Sequence, residues 1–539
     1  MIAIILLAAV GVLVVSIVVM SKIQAEKALK ARLAANFGKP PEEKDTEFES
    51  IRRYASHFAA DNLRVDSITW NDLDMDSVFE RINGCQSSVG EEYLYNALHQ
   101  PQFELESLQA RESLIKYFDE NPEERLAAQV ALAKVGKRNY NGLSHLIFNT
   151  DIKLLPNAWV YKVLAVLPLV GFLGFFLHTG VGILGVFLAF AINGITYAST
   201  IKKIGVEFPA IGYFSRMMKC SKKLSGIQGL NAHPTIIHLQ TLCRVFKKVM
   251  SKAPTQVSGW TGNLLEDMWM YFTILFLYDI RHYNKFMQAI TRNSETFHEI
   301  YKTIGEVETA LTVLSFRKSL PVFALPIFHS QNALDFEGIF HPLIREPVSN
   351  TGALANDVLI TGSNASGKST FIKTLAINGI LAQTIYTCTA AKFATRFNMV
   401  VTSMALRDNL QGKESYFVVE VKSLKRILDM VKKHPCACYI DEILRGTNTA
   451  ERIAASSAVL EFLHGQDCLC IAASHDIELT RILAGQFENY NFSETVTDTG
   501  ILFDYKLKEG PSTTRTAIKL LGVIGFDREI VENAEKRVE

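Results

Sequence analysis

Hydrophobic positions along this chain follow three patterns. The first is unbroken: Ile2 to Met20 carries no charge over about 19 residues, and Val163 to Ile201 carries none over about 39. The shorter run has the length of one bilayer-crossing helix. The longer one fits two helices of about 18 residues turning at Leu177-His-Thr-Gly-Val181. Lys22, Lys27, Lys30 and Arg32 follow the first run, Lys153 and Lys162 precede the second, and Lys202 and Lys203 follow it. Basic flanks stay on the cytoplasmic side, so the expectation is an anchor with its N-terminus outside and a hairpin with both ends inside. Two alternatives stay open. One is a cleaved signal peptide, although the basic n-region and a small-residue cleavage site are missing. The other is a helical hairpin buried in a soluble core.

The second pattern has apolar residues at threes and fours. It predicts a charged helix from Lys22 to about Pro41, then helices from Trp70 to about Lys137 with a break at His99-Gln-Pro101. It returns from Leu264 to Leu320, where the apolar run Met268 to Tyr278 is too short to span and reads as a buried helix. Between these stretches, Ile201 to Lys252 carries ten Lys or Arg against one acid, Glu207. Such a block suits nucleic-acid phosphates or anionic lipid headgroups, and its place beside the hairpin favours lipid.

The third pattern starts near Gly352, where short continuous apolar runs alternate with helical ones, as in an α/β layer. Asp357 to Ile360, Cys436 to Ile440 and Leu469 to Ala473 read as buried strands, and Phe371 to Leu381 as a helix. At 539 residues the chain has room for about three domains. Its net charge of +1 argues neither for nor against nucleic acid. Eight cysteines without a paired framework suggest a reducing compartment. Cys436 and Cys438, with Cys468 and Cys470, have the spacing of a metal site. Their apolar surroundings favour small residues on one strand face.

Chemistry enters at Gly362, where a predicted strand runs into Gly-Ser-Asn-Ala-Ser-Gly-Lys-Ser369, a match to G-x-x-x-x-G-K-[ST]. Such a loop turns backbone N–H groups inward at a helix N-terminus, forming a nest for phosphates. Candidate ATP contacts are Gly362, Ser363, Asn364, Ala365, Ser366, Gly367, Lys368, Ser369 and Thr370, with Lys368 reaching the β- and γ-phosphates and Ser369 ligating Mg²⁺. His341, in the linker Phe328 to Val348, is a further candidate contact. Asp441 and Glu442 end a predicted strand about 70 residues later, where one acid holds Mg²⁺ and a second orients the attacking water. His475 ends the next strand, where open α/β sheets bind ligands and a γ-phosphate sensor would sit.

Together, Thr361 to Thr370, Asp441-Glu-Ile-Leu-Arg-Gly-Thr-Asn-Thr449 and Ser474-His-Asp-Ile-Glu-Leu-Thr480 resemble the ATPase domain of the MutS mismatch-repair family. Asp408-Asn-Leu, Glu414-Ser-Tyr-Phe-Val-Val-Glu420, Ile380-Leu-Ala-Gln383 and Leu521 to Ile530 are similar to further segments of that domain. Met75 to Gly84 and Gln109 to Ile115 resemble the start of its helical core, or lever. The resemblance implies an ABC-type ATPase that dimerises through its nucleotide domains, with Ser415 offered across the dimer to the partner's nucleotide. Departures exist: Ser363, Ala365 and Ser366 replace Pro, Met and Gly, Leu444 replaces a glycine, and Asn448 replaces a serine. The family's mismatch-reading domain, with its F-x-E wedge, has no counterpart. Phe118/Glu120, Phe297/Glu299 and Phe492/Glu494 match F-x-E by chance within lever or ATPase segments.

The expected fold is a C-terminal α/β P-loop NTPase preceded by an all-α lever that a transmembrane hairpin interrupts, plus an N-terminal transmembrane helix. The expected boundaries are 1–21 for the anchor, 22–69 for the tether and 70–157 for the lever segment before the hairpin. The hairpin itself takes 158–200, the remaining lever segment 201–325, and the ATPase with a dimerisation tail 326–539. The expected function is a Mg²⁺-dependent ATPase of the mismatch-repair or recombination type. It would be a DNA-binding homodimer, multi-pass in the inner or plasma membrane, with its bulk cytoplasmic. The alternative is a mechanochemical membrane ATPase acting on lipids or on a repair or membrane protein partner. An ABC transporter half fits less well, because three spans do not make a substrate-lining bundle.

Overall fold

The computed structural model describes residues 2–41, 46–59, 63–148, 153–205, 207–250, 264–363, 366–404, 416–497, 500–512, 518, 521 and 525–537. Helix α1 (Ile2–Asn36) is continuous through the apolar run and the basic residues after it. Its C-terminal end docks on the helical core: Leu33 is buried, the Arg125 guanidinium lies 4.0 Å from the Phe37 ring centre, and Lys134 pairs with Glu26 at 2.6 Å. The core continues through α2 (Phe48–Ser56), α3 (Ser67–Asp72), α4 (Met75–Ile82), α5 (Ser88–His99), α6 (Leu105–Glu120), α7 (Pro122–Ala133) and α8 (Leu143–Phe148). Short polar caps punctuate it: Asp66 accepts from the N–H groups of Ile68 and Thr69, and Ser87 from that of Gly90.

The hydrophobic stretch after residue 157 forms α9 (Ala158–Leu164), α10 (Leu167–Leu173), a short 3₁₀ turn and α11 (Thr179–Ile204). Ala158–Phe176 and Thr179–Ile204 are both long and apolar enough to cross a membrane. Packing in this hairpin is inside out. The buried residues of α11 are Gly182, Ala189, Asn193, Thr200 and Ile204, mostly small or polar, while Phe187, Leu184 and Ile195 face outward. Gly171 and Gly185 meet so closely that a Cβ on Gly171 would lie 2.6 Å from the Gly185 backbone. Small residues bringing two helix backbones together are how helices associate when large apolar side chains gain nothing by turning inward.

Beyond the hairpin come α12 (Glu207–Leu224), α13 (Pro234–Met250), α14 (Leu264–Leu275), α15 (Tyr278–Arg292) and α16 (Ser294–Lys318). The basic block is amphipathic: α12 buries Phe208, Tyr213, Phe214 and Met217, while Lys219, Lys222 and Lys223 are exposed. The run Met268 to Tyr278 departs from expectation. The chain breaks at Leu277, whose φ is 49°, and α14 is not buried. Met268, Trp269, Tyr271 and Phe272 are 40–60 % exposed, because α14 packs only along one side on α11 and at its end against α15, where Tyr278 meets Trp269 at 6.1 Å.

Helix α16 is the spine of the core, packed along α5 and α6. It carries two acids into that packing, Glu308 buried and Glu306 partly exposed. Glu306 is bonded by Tyr93 and Arg111, and Glu308 accepts from the Ser87 N–H at 2.9 Å, from the Gln86 N–H and from the Ser87 hydroxyl. Across α5, Glu92 accepts from Tyr301 at 2.6 Å and from Asn141 and Ser144. Burial pushes the Glu308 and Glu92 carboxyls up to about 7.

The C-terminal region is the expected α/β layer. One sheet, in the order β1 (Ile327–Phe328), β5 (Lys392–Thr395), β2 (Leu334–Ile339), β3 (Asn350–Leu354), flanks a six-stranded sheet. The larger sheet runs β12 (Lys508–Glu509), β9 (Phe487–Asn491), β4 (Asp357–Thr361), β8 (Cys468–Ala473), β7 (Cys436–Asp441), β6 (Met399–Ser403), and is parallel apart from β12. Strands β4, β6, β7 and β8 are buried throughout, which is why their sequences read as continuous apolar runs. Cys436 faces Cys468 and Cys438 faces Cys470 across β7 and β8, and all four are buried free thiols in one core. Helices α17 (Lys368–Thr384), α18 (Tyr416–Val431), α19 (Thr449–His464) and α20 (Glu478–Ile482), a hairpin of β10 (Glu494–Thr497) and β11 (Gly500–Phe503), and α21 (Arg528–Lys536) complete the domain. The three F-x-E phenylalanines, Phe118, Phe297 and Phe492, are core residues.

Candidate nucleotide site at the strand ends

Parallel strands β4, β8 and β7 end level with one another. Ile360 and Asp441 both pair with Ala473 in register. The loop after β4, the acids at the end of β7 and His475 after β8 therefore meet at one edge, the place where open α/β sheets bind ligands. Adjacent loops are tied by backbone bonds: Ser474 N–H to the Ile360 carbonyl at 3.0 Å, and Glu442 N–H to the Ala473 carbonyl at 3.0 Å.

Gly362 turns the chain out of β4 with φ of 140°, and a Cβ there would lie 2.3 Å from the Phe492 carbonyl oxygen. Only glycine fits. Ser363 donates to Glu494 at 3.1 Å, and the buried Ser366 hydroxyl donates back to the Ser363 carbonyl at 2.7 Å. Gly367 caps α17, and Lys368, Ser369 and Thr370 form its first turn. Asn364, Ala365 and Ser415 lie outside the described residues. Lys368 is 2 % exposed, and its ammonium donates to the Gly362 and Ser363 carbonyls at 2.6 and 2.7 Å. Burial pushes it down to about 8, with Asp441 acting against that shift.

Asp441 is buried, and among the described residues its Oδ1 has no hydrogen-bond partner. A buried, unmatched carboxylate oxygen beside a P-loop is the donor a hard divalent cation takes, so Ser369 and Asp441 would hold Mg²⁺. Glu442 follows with φ of 60° and Leu444 with 58°, a left-handed conformation that costs non-glycine residues roughly 1 kcal/mol each. That explains why a glycine was expected at 444. The strained turn is fastened by Glu420 of α18, which accepts from the N–H groups of Leu444 at 2.5 Å and Arg445 at 3.3 Å.

Glu442 is held from two sides. His475 Nε2 is 2.6 Å from its Oε1, and Arg445 pairs with its other oxygen. Burial lowers the His475 pKa, with Lys368 and Arg445 pushing the same way and a hydrogen bond to the Gly362 backbone and the Asp441 charge opposing them. Arg452 and Asp476, paired at 2.6 Å, brace the following helix against the His475 loop. Beside Gly367 and Thr370 opens a cavity of about 350 Å³ lined by His341, Val348, Asn350, Phe371, Phe492 and Tyr505. His341, the linker candidate, is thus against the loop; burial pushes its pKa down to about 4, so it is uncharged there.

Three residues of this arrangement had not been singled out for the site. Arg445 had a signal, an opposite charge three residues after Glu442. Glu494 and Tyr505 had none. They arrive through the pairing of β9 with β4 and through Asn350, which binds the Tyr505 carbonyl at 3.0 Å and the Leu507 N–H at 2.8 Å.

Strand order, loop and acid pair together define a P-loop α/β domain. Comparison with known proteins carries this one step further. Residues 358–539 match the MutS domain V family model. The chain is 28% identical over 249 residues to the DNA mismatch repair protein MutS of Natronomonas pharaonis, covering 43% of this chain and 29% of that protein. It is 27% identical over 262 residues to the same-named protein of Thermotoga maritima, covering 47% and 33%. For that of Thermus thermophilus the values are 29% over 200 residues, covering 36% and 24%. The chain spans a third or less of the length of these curated relatives. These matches support the MutS family for the C-terminal domain.

Proposed function

We propose that this protein is a membrane-held, Mg²⁺-dependent ATPase of the MutS domain V type. It dimerises through its nucleotide domains and transmits ATP binding into its helical core. The observation that supports this best is the path of α17. Its first turn carries Lys368, Ser369 and Thr370 at the phosphate nest. Its last carbonyls are gripped by the core: Arg111 donates to the Thr384 carbonyl, and the Gln102 N–H to that of Gln383 at 2.7 Å. Just beyond, Arg317 donates to the Tyr386 carbonyl at 3.0 Å and to the Thr387 hydroxyl at 2.9 Å. Glu306 and Glu112 hold these guanidiniums in bidentate pairs. Cations at a helix C-terminus complement its dipole, so a shift at the phosphate end is felt by buried charges of α6 and α16. Glu442, positioned by His475 and Arg445, orients the attacking water, and Ser415 of a second copy completes each site.

The inside-out packing of α11 supports membrane insertion of the hairpin, with α1 as an additional anchor. What the core works on has two readings. The relatives are named DNA mismatch repair proteins, and exposed Lys202, Lys203, Lys219, Lys222 and Lys223 suit phosphates. The hairpin, built into the core between α8 and α12, favours a cycle that moves membrane segments or a membrane partner. Detergent-solubilised protein titrated with homoduplex, mismatched and branched DNA over a salt series separates them. Salt-dependent binding supports DNA, and none at low salt supports the membrane machine. Unchanged ATP turnover in Lys368→Ala would overturn the ATPase assignment itself.

A further inference from the structure

We infer that α14 is a third membrane element, a short helix that enters the bilayer beside the hairpin and meets lipid acyl chains with its Met268, Trp269 and Phe272 face. The inference rests on the membrane reading of the hairpin and adds a lipid contact to it.

Depth comes first. The Tyr271 and Phe190 rings lie 6.3 Å apart, and the Leu275 carbonyl receives the Asn193 amide at 2.7 Å. Four residues along α14 match three along α11, so the helices run side by side in the same direction. At about 1.5 Å per residue, Asn193 lies roughly 22 Å and Phe190 roughly 18 Å from the turn at His178. Both levels fall inside a hydrocarbon layer about 30 Å thick. By the same measure Tyr197, which donates to Asp279 of α15 at 3.4 Å, lies about 28 Å from the turn, at the border where tyrosines gather. The polar residues of α15 thus begin where lipid would end.

The Asn193 side chain bears on that depth: its amide N–H groups are matched, while its buried Oδ1 has no partner among the described residues. The fully buried Asn193 amide donates to two terminal carbonyls, Leu164 of α9 at 3.0 Å and Leu275 of α14 at 2.7 Å. Helix-end carbonyls in water need no such partner, whereas in hydrocarbon each must be satisfied from within the protein. Thr273, 2 % exposed, likewise turns its hydroxyl back to the Met270 carbonyl at 2.8 Å.

The outward face supplies the occupant. Trp269 and Phe272 stack at 5.0 Å, Phe272 and Phe276 meet at a tilt at 4.8 Å, and Phe187 and Ile195 of α11 are 67 and 69 % exposed. The apolar surface is continuous from hairpin to α14, so whatever solvates one solvates the other. With 12 residues α14 rises about 18 Å, less than the thickness of the layer, and its first turn, which carries Glu266 and Asp267, points toward the level of the hairpin's turn.

The test uses the full-length protein with Cys243→Ser, which removes the half-buried native thiol, in phosphatidylcholine–phosphatidylglycerol nanodiscs. Single cysteines replace Met268, Phe272, Leu184, Phe187 and, as a solvated control, Lys219. Retained ATP binding verifies the fold of each variant. The expected result is that positions 268 and 272 react with a membrane-impermeant maleimide about tenfold or more slowly than position 219, as 184 and 187 do. A bimane placed at 268 or 272 should also be quenched by acyl-chain nitroxide lipids. If 184 and 187 are protected while 268 and 272 react like 219, the inference fails and the hairpin reading stands. If all four react like 219, the membrane reading fails and takes the inference with it. Protection without nitroxide quenching also overturns it, and assigns the face to a protein partner.

Discussion

Helices α17 and α11 are both long and mostly apolar, and they could hardly be treated more differently. In α17 almost every side chain from Phe371 to Thr384 is buried, against the central sheet on one side and α5 on the other. In α11 the large residues face out, and glycine, alanine, asparagine and threonine face in. The contrast teaches that apolar content sets how much surface must leave water, while the neighbours decide whether protein or lipid receives it. It also divides labour: α17 joins chemistry to the core, and α11 joins the core to its surroundings.

The comparison can be broken at the α17 end first. Lys368→Ala should weaken ATP binding or turnover by on the order of 10²-fold or more, read by nucleotide titration and phosphate release, with the hairpin untouched. At the other end of α17, Arg111→Ala leaves the partly exposed Glu306 without its guanidinium and should cost about 3 kcal/mol in denaturant unfolding. The double replacement Arg111→Leu with Glu306→Leu should lose much less stability while uncoupling ATP binding from the core. On α11, Phe187→Asp should leave nucleotide affinity unchanged and raise the free energy of membrane insertion by about 2.5–3.5 kcal/mol, seen as a larger soluble fraction. An aspartate that changes neither would place that face in water.

The smallest effect sharpens the view of the core between the two helices. Glu308 has a folded pKa of about 7 against a usual value near 4.5. A raised carboxyl pKa contributes stability that is fully present below about pH 4.5 and is lost as pH rises through about 7. Glu308→Gln keeps an acceptor for the Gln86 and Ser87 N–H groups and cannot ionise. The fall in melting temperature between pH 5 and pH 8 should therefore be smaller in the variant, by the equivalent of about 1–3 kcal/mol. The half-buried His99, His298 and His341, each pushed down to about 4, act oppositely: their contribution is lost as pH falls below about 6.5.

Much of the candidate nucleotide site was legible because its motifs are local. Gly362, Lys368 and Ser369 lie within one loop, and Asp441 and Glu442 end one buried strand, so each motif could be read without its partners. Glu494 and Tyr505 were illegible for the opposite reason: apart from a chance F-x-E match at Glu494 they belong to no motif, and only β9 beside β4 brings their segment to the loop. The buried acids Glu92 and Glu308 were equally silent, since a glutamate in a helical pattern normally marks a solvated face. The run from Met268 to Tyr278 was legible as a helix and misread as buried, because length and composition do not name a neighbour.

The sequence by itself determined the local elements of this protein: where strands and helices form, the phosphate loop, the strand-end acids, and two apolar stretches of membrane-crossing length. These follow from residue spacing, which acts over a few positions of chain. Only the tertiary structure decided which ends meet. It brought His475 and Arg445 onto Glu442, Arg111 and Arg317 onto the far end of the P-loop helix, and Asn193 onto two orphaned helix ends. Hydrogen bonds and buried charges act over a few ångströms of space, and most of the partners here stand tens to hundreds of positions apart in sequence.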